Sequence, residues 1–121
     1  MRYLCLVNLD KDEAAKLSEA DWRKVDRDSL AYDDELQAQG SYIVSMALQE
    51  PVTARTVRVR QGRAMVTDGP FVETKEHVAG FILIEAETME AAVEIAKKIP
   101  CARIGSIEVR AQMEIKRPVE A

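Results

Sequence analysis

Val78-Ala79-Gly80-Phe81-Ile82-Leu83-Ile84-Glu85-Ala86 is the most apolar run of the chain, and up to Ile84 it offers no polar face. A strand turns successive side chains to opposite sides of its sheet, so a strand apolar on both parities must be covered on both sides. This run therefore reads as a central strand. The first residues repeat the pattern. From Arg2 to Leu9, the side chains of Tyr3, Cys5, Val7 and Leu9 share one face while Leu4 and Leu6 occupy the other.

The remaining segments arrange themselves around these two strands. After a polar turn from Asp10 to Glu13, Ser18 followed by Asp21 resembles a capping box, and a helix is expected from about there to Gln39. Trp22, Val25, Ser29, Tyr32 and Leu36 repeat at spacings of three and four, giving one core-facing stripe. Gly40 ends the helix. Tyr42 to Leu48 reads as a second strand, stopped before Pro51. The segment Thr56 to Thr67, with Gln61-Gly62 at its centre, reads as an inserted β-hairpin. Beyond the central run, Thr88 caps a second helix whose buried stripe is Met89, Ala92, Val93, Ala96 and Ile99, and Pro100 prevents its continuation. The last strand alternates from Ile107 to Lys116, with Ile107, Val109, Ala111, Met113 and Ile115 on one side.

With the hairpin set aside, the order is β-α-β-β-α-β, the split βαβ pattern of a ferredoxin-like α+β fold, in which the first and third strands are central. The two segments that are apolar on both faces are those two strands. Two helices cover one face of such a sheet. A second copy of the same sheet is the simplest cover for the other, so an obligate homodimer is expected, burying on the order of 2,000 Å² with any pocket between sheet and partner.

At 121 residues the chain is one domain, residues 1–121. Its 47% hydrophobic and 31% charged residues fit an ordinary globular protein rather than a disordered or fibrous one. No apolar run reaches the length of a membrane span, and the apolar start is too short and too closely followed by acids to be a signal peptide, so no membrane association is expected. A formal net charge of −4 argues against nucleic-acid binding, which needs clustered excess Lys and Arg. Arg55, Arg58, Arg60 and Arg63 do crowd one segment. Because Arg58 and Arg60 alternate with Val57 and Val59, they read as a solvated strand face. Two cysteines and one histidine supply no ligand set for zinc. No metal or cofactor is expected, and reduced thiols suit a cytoplasmic protein.

Between the hairpin and the central run stands Thr67-Asp68-Gly69-Pro70-Phe71-Val72-Glu73-Thr74-Lys75-Glu76-His77-Val78-Ala79-Gly80-Phe81. This segment resembles the signature of the DGPF branch of the YCII-related domain family. Gly40, Leu48-Gln49, Val57-Arg58-Val59 and Gly105-Ser106-Ile107-Glu108-Val109-Arg110 are similar to family positions along nearly the whole chain. Ala111 departs from the pattern where Pro is common, and Ser45 where Gly is frequent. The resemblance implies a dimeric α+β barrel, bacterial and cytoplasmic, in a branch of unassigned activity. It also implies relatives that act on small cyclic or aromatic compounds, and others functionally associated with an alternative sigma factor.

Asp68-Gly69-Pro70 is physically a turn, in which Asp bonds the backbone ahead, Gly takes strained dihedrals and Pro fixes the exit. The functional reading of the same residues sets the Asp68 carboxylate at a pocket mouth beside Phe71, where partial burial raises its pKa and suits it to acid or base work. Glu73, Lys75 and Glu76 read either as a salt-bridge network or as part of a site for a small anion. Asp68 and Glu73 are thus the candidate catalytic groups, and Lys75, Arg110, Phe71 and His77 the candidate substrate-binding ones. His77 is the one side chain of a type whose unperturbed pKa lies near neutrality. It is not taken as the base, because sequences that the resemblance brings in carry Gln or apolar residues there. Two functions from different classes follow. One is a dimeric small-molecule-binding or regulatory module. The other is a cofactor-free lyase or isomerase on a small anionic cyclic or aromatic substrate, with Asp68 or Glu73 moving the proton while Lys75 and Arg110 hold the charge.

Overall fold

The computed structural model describes residues 1–70 and 74–119. Its elements are β1 (Arg2–Asp10), α1 (Lys11–Ala15), α2 (Glu19–Ala38), β2 (Tyr42–Ala47), β3 (Arg55–Arg60), β4 (Arg63–Asp68), β5 (Glu76–Glu85), α3 (Met89–Lys97) and β6 (Gly105–Ala111). Four strands form one antiparallel sheet in the order β2-β5-β1-β6, and β3 and β4 form a separate two-stranded sheet. This is the ferredoxin-like α+β arrangement with an inserted hairpin. The two strands with no polar parity, β1 and β5, stand at the centre.

Local chemistry explains the helix boundaries. Ser18 Oγ accepts the Asp21 amide at 3.1 Å while the Asp21 carboxylate accepts the Ser18 amide at 2.9 Å, which closes the capping box that starts α2. Thr88 Oγ1 accepts the Ala91 amide at 3.1 Å and starts α3. One short helix lies where the sequence reads as a polar turn. Asp10 Oδ1 accepts the amides of Asp12 and Glu13 at 2.9 and 3.1 Å, so a single side chain nucleates α1. In the hairpin, Gln61 and Gly62 both have positive φ, 51° and 75°, as the tight turn between twisted strands requires.

The last strand is shorter than its alternation. Pairing ends at Tyr3 with Ala111, and the Gln112 amide makes a final bond to the Arg2 carbonyl at 2.9 Å. Beyond Arg2 the neighbouring strand runs out. Met113 and Ile115 therefore stand 78% and 82% exposed instead of continuing the ladder.

Odd residues of β1 and even residues of β5 point toward the helices. Tyr3, Cys5, Val7, Ile82 and Ile84 pack there against Tyr32 and Leu36 of α2, Ala92 and Ala96 of α3, and Ile99. The opposite parity, Leu4 and Leu6 across from Leu83 and Phe81, is only half buried. Val44 and Met46 extend that face along β2 and are 42% and 55% exposed. Across β2, β5 and β1 the second side of the sheet is thus apolar and open in the single chain, with Glu108 and Arg110 of β6 beside it. Among the described residues, no helix is long and apolar enough to cross a membrane.

Candidate functional site

A cavity of about 270 Å³ lies between α2 and the sheet. It sits on the helix side of β1 and β5, not on the open face where the strand-parity argument placed a pocket. Its existence follows from side-chain size. Where α2 crosses β2 and β5, the strands supply Ser45, Ala47, Ala79 and Gly80, too small to fill the space beneath Trp22 and Val25. The register also shifts here. Val7 pairs with Gly80 but Asn8 with Val78, so Ala79 is an extra residue in β5. Gly80 admits no side chain, because a Cβ would approach the Met46 carbonyl oxygen to 2.6 Å.

Val7, Leu9, Trp22, Val25, Ile82 and Ile99 make the lining largely apolar. Its polar members on α2 are Asp26, Ser29 and Asp33, which fall at intervals of three and four and so share the helix face turned to the cavity. Ser45 Oγ donates to Asp33 Oδ2 at 3.1 Å, and the Tyr42 hydroxyl lies 2.7 Å from the same Ser45 oxygen. The chain is Tyr42, Ser45, Asp33. Oδ1 of Asp33 has no protein donor among the described residues, and burial pushes the Asp33 carboxyl above the ordinary aspartate range, with Asp34 adding to the rise and the Ser45 bond opposing it. Cys101 also borders the cavity. Its thiol is held up by burial and by the Asp26 charge, so it stays protonated. Cys5 is fully buried and pushed up to about 11 by desolvation. Both cysteines are free. Among the described residues, no group of three or more His, Cys, Asp or Glu is placed to hold a metal ion.

The candidates named from the sequence lie elsewhere. Asp68 ends β4 with its side chain 86% exposed and pairs with Arg55 at 3.0 Å. Gly69 follows at φ 91°, the strained dihedral expected of that turn. Lys75 reaches Asp12 at 3.5 Å and Asp10 at 3.8 Å. Arg110 stands on β6 opposite Leu4, on the open face, 3.8 Å from Glu108. His77 pairs across the sheet with Leu9 and is half buried. Phe71 and Glu73 lie outside the described residues. Within one chain, Asp68, Lys75, Arg110 and His77 share no ion pair with one another and none borders the cavity. Asp33, Ser45 and Asp26, in contrast, do border it, and the sequence reading passed them over. A signal existed in Ser29, a polar residue inside the otherwise apolar stripe of α2, with Asp26 and Asp33 one turn to either side.

Fold and cavity together define a ferredoxin-like α+β protein with a small chamber under its first long helix. The chain belongs to the YCII-related domain family, whose model matches residues 1–116. It is 32% identical over 112 residues to an uncharacterized protein of Rhizobium meliloti (strain 1021), covering 91% of this chain and 90% of that one. Among solved structures it is similar to TftG, the 5-chloro-2-hydroxyhydroquinone dehydrochlorinase of Burkholderia phenoliruptrix AC1100, determined with 2,5-dihydroxybenzoquinone. That likeness has a TM-score of 0.50 at 16% identity and covers 93% of this chain and 94% of the other. At that identity it is a likeness of fold.

Proposed function

We propose that this chain is a homodimeric small-molecule-binding protein of the cytoplasm, and that its ligand occupies the cavity between α2 and the sheet. The observation that carries the reading is Asp33, a half-buried carboxylate on the lining of an apolar chamber of about 270 Å³, with one oxygen held by Ser45 and no protein donor on the other among the described residues. Binding sites for small molecules combine mostly apolar walls with a few placed polar groups, and this volume lies near the lower end of their usual range of roughly 300 to 1,000 Å³. A single-ring compound suits it. The dimer rests on the open face, where Leu4, Leu6, Phe81, Leu83, Val44 and Met46 form an apolar surface that a second copy covers with the same residues.

A second reading draws on the raised Asp33 carboxyl. A carboxylate whose pKa is moved toward neutrality is suited to proton transfer, so a lyase or isomerase acting on the bound ring is the enzyme form of the same site. TftG, a dehydrochlorinase by name, is compatible with it. For Asp68 to carry the proton instead, a partner chain has to enclose it, since its own chain leaves it in solvent.

Trp22 is the one tryptophan of the sequence and borders the cavity, so its fluorescence reports occupancy. Titration with a panel of single-ring compounds, followed by calorimetry, is expected to give saturable one-to-one binding that quenches Trp22 and is lost in Ser29→Phe, which fills the chamber. Binding indifferent to that substitution would sink the reading.

A further inference from the structure

The cavity holds carboxylates but no cation. Asp26 and Asp33 border it, while no Lys, Arg or His does among the described residues. The helix above deepens the imbalance. After Arg27, α2 carries Asp28, Asp33, Asp34 and Glu35 and no basic residue. Nearby cations are engaged elsewhere: Lys75 of the DGPF segment with Asp10 and Asp12, and Arg55 of β3 with Asp68.

An anion entering an apolar chamber loses its hydration and needs a cation or several donors in return. This lining offers no cation, and beside Ser29 and Trp22, which carry neutral donors, it presents carboxylate acceptors, foremost the Asp33 oxygen that Ser45 does not hold. From this charge asymmetry we infer that the cavity selects a small ring compound without negative charge that presents an O–H or N–H donor, bound with that donor on Asp33 Oδ1 and its ring against Trp22 and Val25. The inference rests on the reading of the cavity as a ligand site and adds the chemistry of the head group. Ser45 contributes by fixing Oδ2, so that Asp33 presents one oxygen in a set direction. Tyr42 does the same for Ser45. A hydroxyl and an ammonium share this recognition, and the arms of the test separate them.

Four probes with one ring and different heads decide it: benzyl alcohol, benzylamine, benzoate and toluene, titrated into the intact protein at neutral pH by Trp22 fluorescence and calorimetry. Benzyl alcohol or benzylamine is expected to bind about tenfold or more tightly than both benzoate and toluene, the size of effect one hydrogen bond to a carboxylate supplies. In Asp33→Asn, which keeps the shape but not the charge, benzylamine should weaken about tenfold, benzyl alcohol less, and benzoate should strengthen. A gain for benzoate cannot come from misfolding. Benzoate binding as tightly as the neutral and cationic probes overturns the inference and leaves the cavity a ligand site. Toluene binding as tightly as the donors does the same. If none of the four binds, the ligand-site reading falls and this inference with it.

Discussion

Ser45 Oγ stands 3.1 Å from Asp33 Oδ2, joining the edge strand β2 to the C-terminal half of α2 on the lining of the cavity. The two residues are twelve apart in sequence and are brought together by the return of the chain at Gly40. Because the carboxylate is half buried, the bond forms in a medium where a lost partner is costly. Ser45→Ala is expected to lower stability by about 1 kcal/mol and to raise the Asp33 carboxyl further, since the serine bond is what holds it down. Urea unfolding and an NMR titration of Asp33 check the two effects, and a double-mutant cycle with Asp33→Ala isolates the pair.

The Asp33 carboxyl is raised in the folded chain, so folding favours its neutral form. The stability this provides is present below the ordinary aspartate range and is lost as pH rises through the raised folded value. Asp33→Asn cannot ionise and should escape that loss. The difference in unfolding free energy, variant minus parent, is expected to climb as pH goes from acid toward neutral and then level off. Taking the difference removes Asp10, Asp21, Glu85 and Glu94, whose carboxyls are lowered and whose pH dependence has the opposite sign. A flat or falling difference in urea titrations across that range would contradict the assignment.

Two glycines separate strain from collision. At Gly69 the backbone has φ 91° with nothing near a would-be Cβ among the described residues, so Gly69→Ala is expected to cost about 1 kcal/mol through dihedral strain. At Gly105, φ is ordinary, but a Cβ would land on the backbone of Asn8, where β6 meets β1. Gly105→Ala must push the strands apart and should cost about 2 kcal/mol or more. Denaturant midpoints for the two variants, measured side by side, test the order.

The open sheet face predicts the state of assembly. Leu6 and Phe81 are cross-strand neighbours on it, and leaving such side chains in water forfeits about 1.5 to 3 kcal/mol each. Sedimentation at micromolar concentration is expected to show a dimer, and Leu6→Asp to produce a monomer of reduced melting temperature. A stable monomeric parent would remove the second copy from the account.

The sequence by itself determined the four sheet strands, the hairpin and the two long helices in their order, though not the short α1. The apolar parities of Arg2–Leu9 and Val78–Ile84, the capping box at Ser18, the cap at Thr88 and the Gln61-Gly62 turn are local instructions, and the structure follows each of them. The same parities implied the unfilled second face, because alternation along a strand is a property of the backbone. Tertiary structure decided three things that no local pattern carries. It ended β6 at Ala111, since a strand lasts only as long as its neighbour and β1 begins at Arg2. It sent Asp68, Lys75 and Arg110 to separate ion pairs, because closeness in sequence or shared charge does not set which acid a flexible cation reaches. And it opened the cavity beneath Trp22, where one extra residue in β5 and a run of small side chains on two strands meet a helix from another part of the chain. A void is the space left when separately encoded surfaces fail to fill each other, so it exists only once they are packed.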